Sequence, residues 1–245
     1  MQFDPGLYAE NFPGFIIDPK DRYSGEARLL REIAMFMHWD IDVANTANLA
    51  SMAVPMGSVH WVREYAKRYG IEMPIDPYPE FLHHLLYRKV WFSEKWPHAE
   101  RCFVKPARTE KRFTGFVKHP NSYIGKKHNE SYWCSEVVEF QKEFRVYVLN
   151  SINLAGHWDP LSQIDHVNFL SVPKPLIPEF EFPHEHWCGT IDFGILKTGE
   201  VALVEAHQNP FSCGWYGKMS LHEGAVYGAW LKCSWSTLLA LANKK

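Results

Sequence analysis

The feature that most constrains this fold is a pair of short apolar runs joined by turn-forming residues. Residues 189–210 read G-T-I-D-F-G-I-L-K-T-G-E-V-A-L-V-E-A-H-Q-N-P. Thr190 to Leu196 and Val201 to Ala206 are each of strand length, and Lys197-Thr198-Gly199-Glu200 between them has the length and chemistry of a hairpin connection. The runs are too apolar for a solvated hairpin, so the pair is expected against a core. Asp192 lies near the start of one run and Glu205 near the end of the other, roughly opposite in an antiparallel pair. One sheet face then aims both carboxylates at a shared point, with His207 and Asn209 following at alternate positions. Hard donors in this arrangement suit Mg²⁺ carrying nucleotide phosphates. The bland alternative is a surface hairpin with two solvated acids.

A chain of 245 residues is long enough to bury a sizeable core. Its formal net charge of -2 supplies no field for recruiting nucleic acid or an anionic membrane. No apolar run reaches the ~18 residues of a membrane helix, and the N-terminus lacks a basic-then-apolar leader. Five irregularly spaced cysteines read as free thiols in a reducing, cytoplasmic setting.

Along the chain, an irregular start rich in Pro, Gly and Asp precedes three helical patterns. The first is capped at Ser24 and carries Leu30, Ile33, Ala34 and Met37; the second runs from Ser58 to Gly70. The third is expected from Asp76-Pro77, with Phe81, Leu82, Leu85 and Leu86 on one face. Beyond about residue 100 the pattern becomes strand-like: Cys102 to Lys105, Thr114 to Lys118, Trp133 to Phe140 and Phe144 to Ala155. A Pro-rich connector, Val172 to Pro183, leads to the hairpin, and Leu221 to Ala242 closes the chain as a helix. Helices first and an antiparallel sheet later give an α+β fold, with a boundary near residue 98 separating 1–98 from 99–245.

Four further places carry chemistry. Lys105 projects from a strand end in F-V-K-P, where Pro106 stops the strand. Lys111-Arg112-Phe113-Thr114-Gly115 reads as a basic turn suited to phosphate oxygens. Ser135 to Phe140, with Glu136 and Glu139 three apart, leads into a strand on which Glu143, Arg145 and Tyr147 share one face and Phe144, Val146 and Val148 the other. Arg145 there is either a bidentate phosphate or carboxylate clamp or one half of a structural ion pair.

Taken in order, the strand lysine, Phe-Thr-Gly turn, extended hinge, Glu-Phe-Arg strand, Asp-Phe-Gly strand and Val-Glu strand ending in Asn-Pro resemble the ATP-grasp superfamily. They resemble most the small phage and bacterial clade named for a shared arginine and two lysines, over about residues 100 to 220. The resemblance implies a helical or mixed N-terminal part followed by antiparallel-sheet lobes that sandwich ATP. It implies that Lys105 contacts nucleotide phosphate, and that Lys111 with Thr114 and Gly115 covers the phosphates, Lys118 being the competing second lysine. It also implies that Glu136 to Val138 holds adenine and ribose, that Arg145 faces the transferred phosphoryl group, and that Asp192, Glu205 and Asn209 hold Mg²⁺. The family pattern Glu-x-Asn is interrupted here by His207. Oxygen preference favours Asn209, or water in its place, over the imidazole.

The implied activity is an ATP- and Mg²⁺-dependent carboxylate–amine ligase that works through an acylphosphate on small-molecule or peptide substrates, with no membrane partner and its oligomeric state open. His157, Trp158, Asp159, Ser212, Trp215 and Tyr216 are the candidate substrate-side residues. A phosphotransferase or a non-catalytic nucleotide-binding protein would use the same phosphate site. A zinc site from His184, His186, Cys188, Cys213 and His222 lacks ligand spacing, and stacking of single-stranded nucleic acid on residues 112 to 133 lacks supporting charge.

Overall fold

The computed structural model describes residues 14–43, 53–74, 76–98, 101–107, 115–121, 131–158, 172–217 and 220–244. Its N-terminal part is a three-stranded parallel sheet of β1 (Phe15–Ile17), β2 (Ile41–Val43) and β3 (Val54–Met56), in the order β2-β1-β3. Between β1 and β2 runs α1 (Gly25–Met37), where the Ser24 side chain accepts from the Ala27 N–H and His38 ends the helix in the left-handed region. After β3 comes α2 (Val59–Lys67), which buries Val62, Tyr65 and Ala66. The third expected helix is only one 3₁₀ segment, Glu80–Leu85, burying Leu82 and Leu85. Pro77 and Pro79 remove two N–H donors at its start, which leaves too few residues for a regular helix.

Two four-stranded antiparallel sheets follow. The smaller, in the order β4-β7-β5-β6, comprises β4 (Val90–Ser93), β5 (Cys102–Pro106), β6 (Phe116–Lys118) and β7 (Tyr132–Ser135). The larger, in the order β11-β10-β8-β9, comprises β8 (Phe140–Leu149), β9 (Ile152–Trp158), β10 (Gly189–Leu196) and β11 (Val201–His207). Two expected strands are shorter than their apolar runs. The run 133–140 leaves the sheet after Ser135, so residues 136–139 cross between the sheets as an extended linker. The run 144–155 folds back at Asn150 and Ser151, both at positive φ, into the β8–β9 hairpin.

α3 (Leu221–Ala242) is buried around most of its circumference. At Gly224 and Gly228 a Cβ would strike Leu29, Ile33 and Trp39, so the two glycines let the α1 segment approach closely. Packing crosses the boundary expected near residue 98. β4 pairs with β7 beyond it, and α3 shares one core with β1, β3, α1 and α2. All five cysteines are buried free thiols, and among the described residues no helix is long and apolar enough to cross a membrane.

Candidate active site

Between the two sheets lies a cavity of about 750 Å³. The smaller sheet contributes Phe103, Lys105, Gly115 and Val117, the larger Glu143, Glu205 and His207, and the crossing linker Glu136 to Glu139. Tyr78, Arg88 and Asn209 complete the wall. Gly115 lies against Phe103 and Lys105 so closely that a side chain there would strike the Phe103 ring.

A row of ionisable residues crosses the larger sheet in register: Glu205 on β11, Asp192 on β10, Arg145 on β8 and His157 on β9. The row depends on a bulge. Asp192 pairs with Glu205 and Phe193 with Leu203, which leaves Val204 as the extra residue. In a regular strand Leu203 and Glu205, two apart, would share a face. With the bulge, Leu203 joins the core of Phe144, Val146, Ile191 and Phe193, and Glu205 turns to the Asp192 side.

Each acid is held by a cation. The Arg145 Nε and Nη2 donate to the two Asp192 oxygens at 2.7 and 2.8 Å, while Nη1 donates to the Gly214 carbonyl at 3.2 Å. The Tyr216 ring covers the same guanidinium at 4.2 Å, and the Tyr147 hydroxyl donates to Gly214 O and accepts from Tyr216 N. Lys105 reaches from the opposite sheet to donate to Glu205 Oε2 at 2.5 Å, with its Nζ 4.6 Å from the Tyr78 ring centre. The other Glu205 oxygen lies 2.6 Å from His207 Nε2. Burial alone would raise the Glu205 carboxyl, but Lys105 and then His207 outweigh it and hold it well below the usual carboxylate range. Burial likewise opposes the charge on Lys105, and Glu205 overcomes it.

His157 is different. It is packed between Tyr147 and Trp215, and the Glu223 carboxylate is 3.7 Å away, too far to hydrogen bond. Burial therefore dominates, lowers its pKa to about 4 and keeps the ring neutral.

The expected site residues divide clearly. Lys105, Gly115, Glu136, Val138, Glu205 and Asn209 line the cavity, and Asp192 and Arg145 lie one and two strands behind Glu205. Glu136 pairs with Lys89: its carboxylate accepts from the Lys89 N–H, and its own N–H donates to the Lys89 carbonyl. Lys118 faces away; it is opposite Cys102, on the face that carries the Cys102–Val104–Cys134 core, and donates to the His98 carbonyl. Lys111, Thr114 and Asp159 lie outside the described residues, as does the side chain of Trp158.

Asp192, Glu205 and His207 are the metal-capable group that comes together among the described residues, their ligand atoms within 4.8 Å of one another. His184 and Cys188 have other partners: His184 Nδ1 accepts from the His186 N–H, and the Cys188 thiol meets Asn150. Asn209 is 6% exposed, and neither its amide oxygen nor its nitrogen has a hydrogen-bond partner. An orphaned buried amide on the wall that also carries Glu205 is a donor that fits a divalent cation.

Arg88 escaped the sequence reading. Its guanidinium donates to the carbonyls of Leu203, at 2.5 Å, and Val204, at 3.1 Å, and so ties down the bulge on the edge strand. A lone arginine in the sequence L-Y-R-K-V gave no signal of this, because its partners are backbone atoms over a hundred residues away.

A second cavity, about 470 Å³, shares Val59 and Ser212 with the first. Asp21, Glu26, Ser58, Cys213 and Gly214 line it. Burial, then Asp18 and Glu26, push the Asp21 carboxyl up.

A family model matches residues 81–222, and it describes an ATP-grasp domain, family 2 of the clade named for one arginine and two lysines. No match was found among curated proteins. Among solved structures, D-cycloserine synthetase DcsG aligns over 89% of this chain and 99% of its own, at 10% identity and a TM-score of 0.51, a likeness of fold. N5-carboxyaminoimidazole synthetase from Staphylococcus aureus aligns over 93% of this chain and 80% of its own, at 13% identity and a TM-score of 0.47. D-alanyl-alanine synthetase A from Vibrio cholerae aligns over 93% and 99%, at 11% identity and 0.43. Neither of these two is close enough to carry an argument.

Proposed function

The protein belongs to this second family of the arginine-and-two-lysine clade of ATP-grasp domains, whose match spans more than half of the chain, and on that premise we propose that it is an ATP-dependent carboxylate–amine ligase. The observation that carries this reading is the row Glu205–Asp192–Arg145, with Lys105 reaching Glu205 across the cavity. Two acids for a divalent ion and two cations for phosphoryl oxygens stand there, which is what phosphoryl transfer by positioning and electrostatics requires.

In this reading the linker 136–139 receives the adenosine end of ATP, and the phosphates extend towards Lys105. Asp192, Glu205 and Asn209 hold a divalent ion, Mg²⁺ in the simplest case, which when bound neutralises phosphate charge. Lys105 then exchanges Glu205 for a phosphate oxygen, and Arg145 turns one of its donors from Asp192 or Gly214 towards the transferred group. A substrate carboxylate oxygen attacks the γ-phosphorus, the bond to the β-phosphate oxygen breaks, and ADP leaves. The amine nitrogen next attacks the acylphosphate carbonyl; the C–N bond forms, the C–O bond to phosphate breaks, and the amine proton goes to solvent. The second cavity supports an acceptor side, since Asp21 and Glu26 suit an ammonium group and Val59 and Ser212 are common to both chambers.

One observation favours a non-catalytic nucleotide binder: Arg145 has Nε, Nη1 and Nη2 all engaged within the protein. Mg²⁺-ATP with pooled amino acids and peptides, analysed by mass spectrometry, separates the readings. ADP with a new amide supports the ligase, ADP with a phosphorylated acceptor shifts the reading to a phosphotransferase, and no acceptor-dependent ADP overturns both. Glu205→Ala is expected to weaken Mg²⁺-ATP binding by at least about tenfold, and wild-type affinity would remove Glu205 from the metal site.

A further inference from the structure

The residue that interrupts the family pattern lies inside the candidate metal site. His207 pairs with Thr190, one step along the same face from the Asp192–Glu205 pair. Its ring nitrogen comes within 4.8 Å of a ligand oxygen from each acid. Asn209, with its orphaned amide, lines the same wall as Glu205 and His207. All the donors expected from the resemblance are therefore present, and an imidazole has been added to them.

We propose that His207 is a nitrogen ligand in this site, so that the chain takes a first-row transition ion in preference to Mg²⁺. Mg²⁺ demands oxygen donors and sheds water reluctantly, whereas imidazole bonds transition ions well. The 2.6 Å contact between His207 Nε2 and Glu205 Oε1 joins the ring atom and one of the oxygens that an ion would take. An ion bound between them replaces that one contact with two metal–ligand bonds. Asn209, with its unpartnered amide, keeps its place in the oxygen set, so His207 would add to that set and not replace it. This inference rests on the nucleotide-and-metal reading above.

Pulsed EPR on the full chain loaded with Mn²⁺ and ADP tests it without relying on turnover. The expected result is a ¹⁴N modulation on bound Mn²⁺ that changes to ¹⁵N when histidine alone is ¹⁵N-labelled, and that disappears in His207→Asn. The labelling arm uses the wild-type chain, so it stands even where the variant fails to fold. Alongside it, His207→Asn and His207→Gln should lower Mn²⁺ affinity at least about tenfold more than Mg²⁺ affinity. Protein-bound Mn²⁺ without histidine coupling overturns the inference and leaves the metal-nucleotide reading standing. Equal loss of both ions in the variants also overturns it, since His207 would then only orient Glu205. Absence of protein-bound Mn²⁺ in the presence of ADP overturns both.

Discussion

The two sheets that face each other across the cavity are built to different standards. The larger has strands of seven to ten residues, and its core joins Phe144, Val146, Val148, Ile191, Phe193 and Leu203 to Trp187, Leu82 and Leu85. The smaller has strands of three to five residues around Cys102, Val104, Tyr132 and Cys134. The charges follow the same division: Asp192, Glu205 and Arg145 stand on the well-packed sheet, and Lys105 reaches over from the lightly packed one. Asp192, Glu205 and Arg145 thus stand over the larger core, and Lys105 stands on strands with the smaller one, where local opening is expected to cost less.

Stability measurements can break or sharpen that contrast. The largest effect should come from Asp192→Ala, which strands the Arg145 guanidinium in the interior and costs about 3–5 kcal/mol in urea unfolding. The double change Arg145→Met with Asp192→Leu should recover most of that loss, because it removes both buried charges. A loss below about 1 kcal/mol for Asp192→Ala would show that the larger sheet does not depend on the pair.

Acid should act next, through His157 on the same sheet. Its folded pKa of about 4 lies below the ordinary value of 6.5, so the unfolded chain binds the proton first as pH falls. This contribution is fully present above about pH 6.5, declines between 6.5 and 4, and totals on the order of 3 kcal/mol. His157→Phe should flatten the pH dependence of unfolding in that window, and an unchanged slope would remove burial of the ring as its cause. The smallest effect belongs to the lighter sheet: Val104→Ala should cost about 2 kcal/mol locally and speed hydrogen exchange of β5 and β7 amides about 30-fold. Equal acceleration in β8 and β10 would mean that the two sheets open as one unit.

Much of this arrangement was legible in the sequence, because the hairpin turn brings Asp192 within one residue of Glu205 and alternation puts Arg145 on the same strand face as Glu143 and Tyr147. Ser24 and Gly70 marked helix ends for the same local reason. The bulge at Val204 was not legible, since the apolar run Val201 to Val204 carries no alternation to mark it and only packing of Leu203 against Phe193 reveals the extra residue. The direction of Lys118 was hidden as well. It depends on the β5–β6 register, which sets Lys118 opposite Cys102 and on the face away from Lys105. Pro77 and Pro79 shortened a helix that apolar periodicity alone had promised. Gly224 and Gly228 carry no sequence mark of their role, which is to let the last helix meet α1.

The paired charges have one more consequence. Asp192 with Arg145 and Glu205 with Lys105 sum to zero, so each of these carboxylates meets an arriving cation with its charge already matched. A visitor that brings both signs together can satisfy all four partners in a single exchange. On the proposed reading, these pairs exchange more readily with a metal–nucleotide complex than with either of its parts alone.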